Sequence, residues 1–179
     1  MKKVFAFLLA TLLLLSLTAC KDNEEAIPTV QKDEKVERTL PYYYVTDDLH
    51  HFMPGDYAIS NGFESATVNE DSTITLVMSG EKYNQMLNDL AEALRKEIAQ
   101  TPNYDDCAHI KKITHSEDFS EFTVQVVLQD FVAEDYAIEY LASCAELYRV
   151  LVSGDPSVTV TTVDANGTVL GVTVYPETE

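Results

Sequence analysis

Between Ser79 and Pro102 the chain carries a helix that can bury only one of its sides, and that limits the folds open to the segments around it. Tyr83, Met86, Leu87, Leu90, Leu94 and Ile98 fall at offsets of 3, 4, 7, 11 and 15 from the first, which is one stripe on an α-helix over about Glu81 to Gln100. Ser79 is placed to cap it, Glu81 suits the positive end of its dipole, and Thr101-Pro102-Asn103 ends it. A one-sided helix needs a sheet or a second helix over its stripe.

The flanking segments supply strands. Phe63 to Val68 and Thr73 to Met78 enclose Asn69-Glu70-Asp71-Ser72, a hairpin in which Ile74, Leu76 and Met78 share a face. Ile110 to His115 and Phe122 to Phe131 enclose Ser116-Glu117-Asp118, and Phe122, Val124, Val126 and Leu128 alternate with Thr123, Gln125 and Gln129. Ile110 and Ile113 are three apart, so a bulge near Lys111-Lys112 is needed to keep both inside. A second helix over about Glu134 to Val152 places Ala137, Tyr140, Leu141, Cys144, Leu147, Tyr148 and Leu151 inward, and Ser153-Gly154-Asp155-Pro156 stops it. Val158 to Val163 and Thr168 to Tyr175 close on an Asn166-Gly167 turn. The order β-α-β-β-α-β-β predicts an α+β, two-layer sandwich: a ferredoxin-like antiparallel sheet with extra strands, both helices on one face. Its open face is expected to be rich in Thr, Gln and Ser.

Ahead of this domain, expected over 41–179, the composition changes twice. Lys21 to Leu40 is charged, with scattered apolar residues, and reads as a solvated tether over 20–40. Before it, Met1-Lys2-Lys3 is basic and Val4 to Ala19 is apolar over about 16 residues, short of the roughly 20 that span a bilayer. That is a signal peptide over 1–19 rather than a transmembrane anchor. Its end, Leu17-Thr18-Ala19-Cys20, resembles the lipobox of bacterial lipoproteins. The resemblance implies cleavage before Cys20 and lipidation of its thiol with fatty acyl chains such as palmitate. The mature chain would then be held on the outer, extracytoplasmic face of the cell membrane without spanning it.

About 160 residues after Cys20 suit one domain and a linker. The formal charge of −18 becomes −20 once Lys2 and Lys3 leave with the signal, and a body that acidic is repelled by nucleic acid. Cys107 and Cys144 are the remaining cysteines, and an exported pair can form a disulfide or stay reduced.

Chemistry is sparse. His50 and His51 with Asp47 and Asp48 could gather round an ion only if their loop folds back, and their spacing matches no metal signature, so no metal or cofactor is assigned. His109 and His115 read as surface or edge residues. No Gly-x-Ser-x-Gly elbow marks a nucleophile, and the six glycines do not cluster into a phosphate loop. The chain is therefore read as not an enzyme. Tyr42, Tyr43 and Tyr44 are candidate interaction residues, since tyrosine gives rigid amphipathic contact area, although an added edge strand covering the sheet is the simpler use of them.

The stretch from the Thr73 strand to Val174, including Asp118-Phe119-Ser120-Glu121-Phe122-Thr123, resembles uncharacterised surface lipoproteins of Gram-positive bacteria with a tether and a small α/β domain. The resemblance implies location and architecture and brings no catalytic residues. The expectation is a lipid-anchored binding or interaction domain without catalytic activity, its partner a surface protein or the cell wall. The alternatives are a small-ligand or cation-binding lipoprotein serving a transporter and, more remotely, a hydrolase.

Overall fold

The computed structural model describes residues 29–127 and 136–176. The expected signal peptide, Cys20, the first part of the expected tether, the expected end of the Phe122 strand and start of the second long helix, and residues 177–179 lie outside them. The described residues form a mixed α/β fold with two sheets and three α-helices, and the chain divides into two compact units between Asp89 and Leu90.

The first unit holds β1 (Lys35–Pro41), a 3-10 turn (Tyr42–Tyr44), α1 (Pro54–Asn61), β2 (Ser65–Val68), β3 (Thr73–Ser79) and the start of α2 (Gly80–Gln100). Its sheet is antiparallel in the order β1-β3-β2. Val36, Leu40, Ile74, Leu76 and Met78 are buried on one face. On the other, Thr39, Thr75 and Thr67 stand in one row across the three strands.

β1 occupies residues expected to belong to the tether. Lys35, Glu37 and Arg38 hide its alternation, yet Val36 and Leu40 point inward, and Arg38 between them lays its guanidinium over the Tyr83 ring at 4.7 Å. Upstream, the Val30 N–H donates to Asn84 Oδ1 at 3.1 Å and Asn84 Nδ2 donates back to the Val30 carbonyl at 2.8 Å. The chain is thus tied to α2 eleven residues before the domain edge expected at Pro41.

The Pro54-Gly55 pair starts α1. Proline at the first helical position loses no hydrogen bond, and Gly62, at φ 69°, ends α1 in the left-handed conformation. β2 and β3 form the expected hairpin. The Lys82 N–H bonds Ser79 Oγ at 3.2 Å, so Ser79 caps α2, and Tyr83, Leu87, Leu90, Leu94 and Ile98 are buried along its stripe.

The second unit holds the end of α2, short 3-10 turns at Thr101–Asn103 and Asp105–Cys107, β4 (Ile110–His115), β5 (Glu121–Val126), α3 (Tyr136–Ser153), β6 (Val158–Val163) and β7 (Val169–Tyr175). The sheet runs β4-β5-β6-β7, with β5 and β6 parallel and the other pairs antiparallel. Two separate sheets therefore stand in place of one antiparallel sheet. The parallel pair is joined through α3, the long crossover that parallel neighbours require. The β4 bulge falls between Ile110 and Lys112, where it was expected, and Ile110 and Ile113 are both buried.

α3 differs from the one-striped helix expected. Leu141, Cys144, Leu147, Tyr148 and Leu151 are buried, and so are Ala142, Ala145, Glu146 and Val150, so most of its circumference is covered. Small alanines let neighbours approach on sides that a polarity pattern leaves unmarked.

Candidate interaction surface

The register of the four-stranded sheet decides which side chains meet. Paired residues lie on one side of a sheet, so Ile113, Val124 and their neighbours Phe122 and Val160 turn inward, where all four are buried. The opposite side carries Thr114, Thr123, Thr161 and Val172 in a row across all four strands. Lys112, Gln125, Val163 and Val169 form a second row, and Glu121, Thr159 and Val174 a third. With strands about 4.8 Å apart, the threonine row extends over roughly 14 Å. Every residue of these rows is exposed or half-buried.

Among the described residues this outer face carries three charged side chains, Lys111, Lys112 and Glu121, on a chain of formal charge −18. Toward β7 it becomes apolar: Val169, Val172 and Val174 are 57, 59 and 52 % exposed. A threonine offers a methyl and a hydroxyl side by side. Such a surface matches a flat partner by shape and short hydrogen bonds, at a small desolvation cost compared with charges.

The tyrosines do not form an added edge strand. Tyr42–Tyr44 is a 3-10 turn closed by the Val45 and Thr46 N–H groups, which both donate to the Tyr42 carbonyl at 2.8 Å. Tyr44 is 2 % exposed and Tyr43 49 %, with their rings 4.6 Å apart, so alternation of a strand does not apply. Tyr43 alone is presented outward, and Tyr44 is core.

The acidic residues work locally. Asp48, Asp71, Asp118, Asp155 and Asp164 each accept the backbone N–H two residues on, at 2.8–3.1 Å, from His50, Thr73, Ser120, Ser157 and Asn166. These are Asx turns, and all five carboxyls lie below the ordinary range, Asp48 chiefly through His51, Asp71 through the Thr73 hydroxyl, Asp155 through the Ser157 N–H and Asp164 through the Thr168 N–H. Asp48 is further engaged by His51 Nδ1 at 2.7 Å. No group of three or more metal-ligating side chains occurs among the described residues.

Asp118 anchors the densest of these turns. Burial opposes its charge, but Ser120 and Ser116 hydroxyls donate to Oδ1 at 2.7 and 2.9 Å and Arg149 Nη1 to Oδ2 at 2.6 Å, and together they prevail. Arg149 is largely buried on α3, so the β4–β5 turn is bolted to that helix. Phe119 beside it, at φ 56°, is fully buried, stacked on His115 at 4.8 Å and edge-on to Tyr148 at 5.1 Å. The Asp-Phe-Ser-x-Phe-Thr stretch is therefore a packing device. His115 is half-buried on the edge strand β4, its Nδ1–H donating to the Ser116 carbonyl at 2.7 Å, whereas His109, expected at a surface or edge, is buried.

Cys107 and Cys144 are both buried and are not bridged to each other. Burial pushes the Cys144 thiol up to about 12, despite a hydrogen bond with Tyr140 one turn away. Cys107 lies in a 3-10 turn that folds it inward.

Sequence reasoning anticipated a threonine-rich open face but missed its apolar border. Alternation in Val169-Leu170-Gly171-Val172-Thr173-Val174 was the available signal, and it points the valines, not Thr173, toward the threonine side. No helix among the described residues is long and apolar enough to cross a membrane. No family model matches the chain, and comparison with the curated proteins and with the solved structures finds no match.

Proposed function

We propose that this protein is a lipid-anchored, extracytoplasmic interaction module without catalytic activity, which meets its partner through the threonine and valine face of the β4-β5-β6-β7 sheet. The observation that carries the reading is that the described part of that face holds one acidic side chain, Glu121, in a chain of formal charge −18. A solvated surface with no partner has no reason to lose the acidic character of the rest. The anchoring rests on Leu17-Thr18-Ala19-Cys20 and the basic, apolar stretch before it. A partner surface rich in hydroxyls and small apolar groups, on a surface protein or in the cell wall, fits the face; nucleic acid does not fit the charge.

Two variants test the reading. Cys20→Ser should release the chain from the membrane fraction and abolish incorporation of a labelled fatty acid. Thr123→Lys with Thr161→Lys should keep the melting temperature within a few degrees while removing the partner captured by cross-linking on intact cells. Capture that survives the double lysine variant would reject the face, and membrane retention of Cys20→Ser would reject the anchor.

A further inference from the structure

Asn61 and Asn166 are the asparagines of this chain that precede glycine. In such a pair the backbone nitrogen of the glycine can attack the side-chain carbonyl carbon of the asparagine, because no Cβ crowds the approach. The new C–N bond closes a succinimide ring, the amide C–N bond breaks, and ammonia leaves with the proton given up by the glycine nitrogen. Water then opens the ring at either carbonyl, giving aspartate or isoaspartate. Water is the one co-reactant, and the asparagine backbone must be free to turn. The two sites differ in that freedom. Asn61 is the last residue of α1, and its Nδ2 donates to the Tyr57 carbonyl at 2.8 Å. The Gly62 N–H donates to the Ala58 and Ile59 carbonyls, the Phe63 N–H to the Ala58 carbonyl at 2.9 Å, and Phe63 is buried, so the core pins this helix end. Asn166 is exposed, and none of residues 165–170 is buried. Its turn is held by Asp164, whose Oδ1 accepts the Asn166 and Thr168 N–H groups, each at 2.8 Å, and whose carbonyl accepts the Gly167 N–H at 3.1 Å.

We propose that Asn166 is a site of spontaneous deamidation in the folded chain, with the Asp164 carboxylate as its brake, and that the fold protects Asn61. Two bonds to one carboxylate fix the backbone on both sides of Asn166 and keep the Gly167 N–H on the Asp164 carbonyl. Releasing that nitrogen requires only that an exposed turn open, which costs less than unwinding a helix end anchored by a buried phenylalanine. Either product adds a carboxylate beside Asp164, and isoaspartate also lengthens the main chain by a methylene inside the turn. The turn borders the outer face. Gln125, in the row of Lys112, Val163 and Val169, donates from Nε2 to the Asp164 and Ala165 carbonyls at 3.4 and 3.2 Å. Modification therefore loosens that corner of the sheet and places new negative charge there. The site stands on its own, whether or not the face binds a partner.

Peptide mapping by chromatography and mass spectrometry of the full chain, incubated folded at mildly alkaline pH, tests the proposal by separating asparagine, aspartate and isoaspartate at each position. Aspartate and isoaspartate should accumulate at position 166 while Asn61 stays intact. In denaturant both pairs should react, because the helix end that shields Asn61 is then gone. Asp164→Ala should speed the reaction at Asn166 several-fold in the folded chain, with an unmodified Asn61 showing that the chain has kept its fold. Asn166→Gln should remove the product, since the longer side chain closes the ring poorly. A folded chain with no product at 166, equal rates at the two pairs before unfolding, or an Asp164→Ala variant that reacts no faster than wild type would each overturn the proposal. An Asn61 that stays intact in denaturant would overturn its protection by the fold.

Discussion

Five aspartates perform one task in five turns, and that gives the acidic composition a local reason. Each carboxyl has its folded-state pKa depressed below 3.8 by the hydrogen bonds it accepts. A depressed pKa adds stability above the unfolded value, and that contribution is lost as pH falls through the folded value. Resonances of these five carboxyls, followed by NMR titration, should therefore move below the ordinary aspartate range; titration at or above it would show the turns to be open. Asp118→Ala also strands the largely buried Arg149 guanidinium and should cost about 1–3 kcal/mol in chemical denaturation. A loss within error would mean that Asp155, 3.8 Å from Arg149 Nη2, takes over. Cys144, with its thiol pushed up to about 12, should resist thiol reagents at pH 8 in the folded chain and react once it is unfolded.

At the scale of elements, legibility followed whether one face of a segment was uniformly apolar. α2, with its cap at Ser79 and its five buried stripe residues, could be read directly. β1 could not, because Arg38 sits at an inward position and its cation–π contact with Tyr83 is invisible to a polarity pattern. α1 was hidden because Pro-Gly serves equally as a turn and as a helix start, and only Gly62 eight residues after Pro54 separates the two. Gly80 gives a test in which two effects have opposite sign. Helix propensity alone predicts that Gly80→Ala stabilises by up to about 1 kcal/mol. A Cβ there, however, would collide with the Gln31 carbonyl oxygen, which is backbone. The variant should therefore lower the melting temperature, and a rise would show that residues 30–34 are not held against the start of α2.

For the whole molecule, the division of strands into two sheets was beyond the sequence because alternation reports a buried face and not which strand lies beside it. β5 and β6 are parallel neighbours across α3, whereas the sequence order suits an antiparallel sheet equally well. The outer face is legible in part: Thr123, Gln125, Thr159 and Thr161 are evident from period two, while the valine border depends on the register between β6 and β7. Because this face has little net charge, partner binding should vary weakly with salt between low and physiological ionic strength, unlike a contact made by the acidic surface. The most direct measurement places a photo-cross-linking amino acid at Thr161 and, as a control, at Ile59, which is 81 % exposed on α1, and irradiates intact cells. A defined adduct from position 161 and none from 59 is the expected result. Adducts from 59 with none from 161 would contradict the assignment of this face as the binding surface.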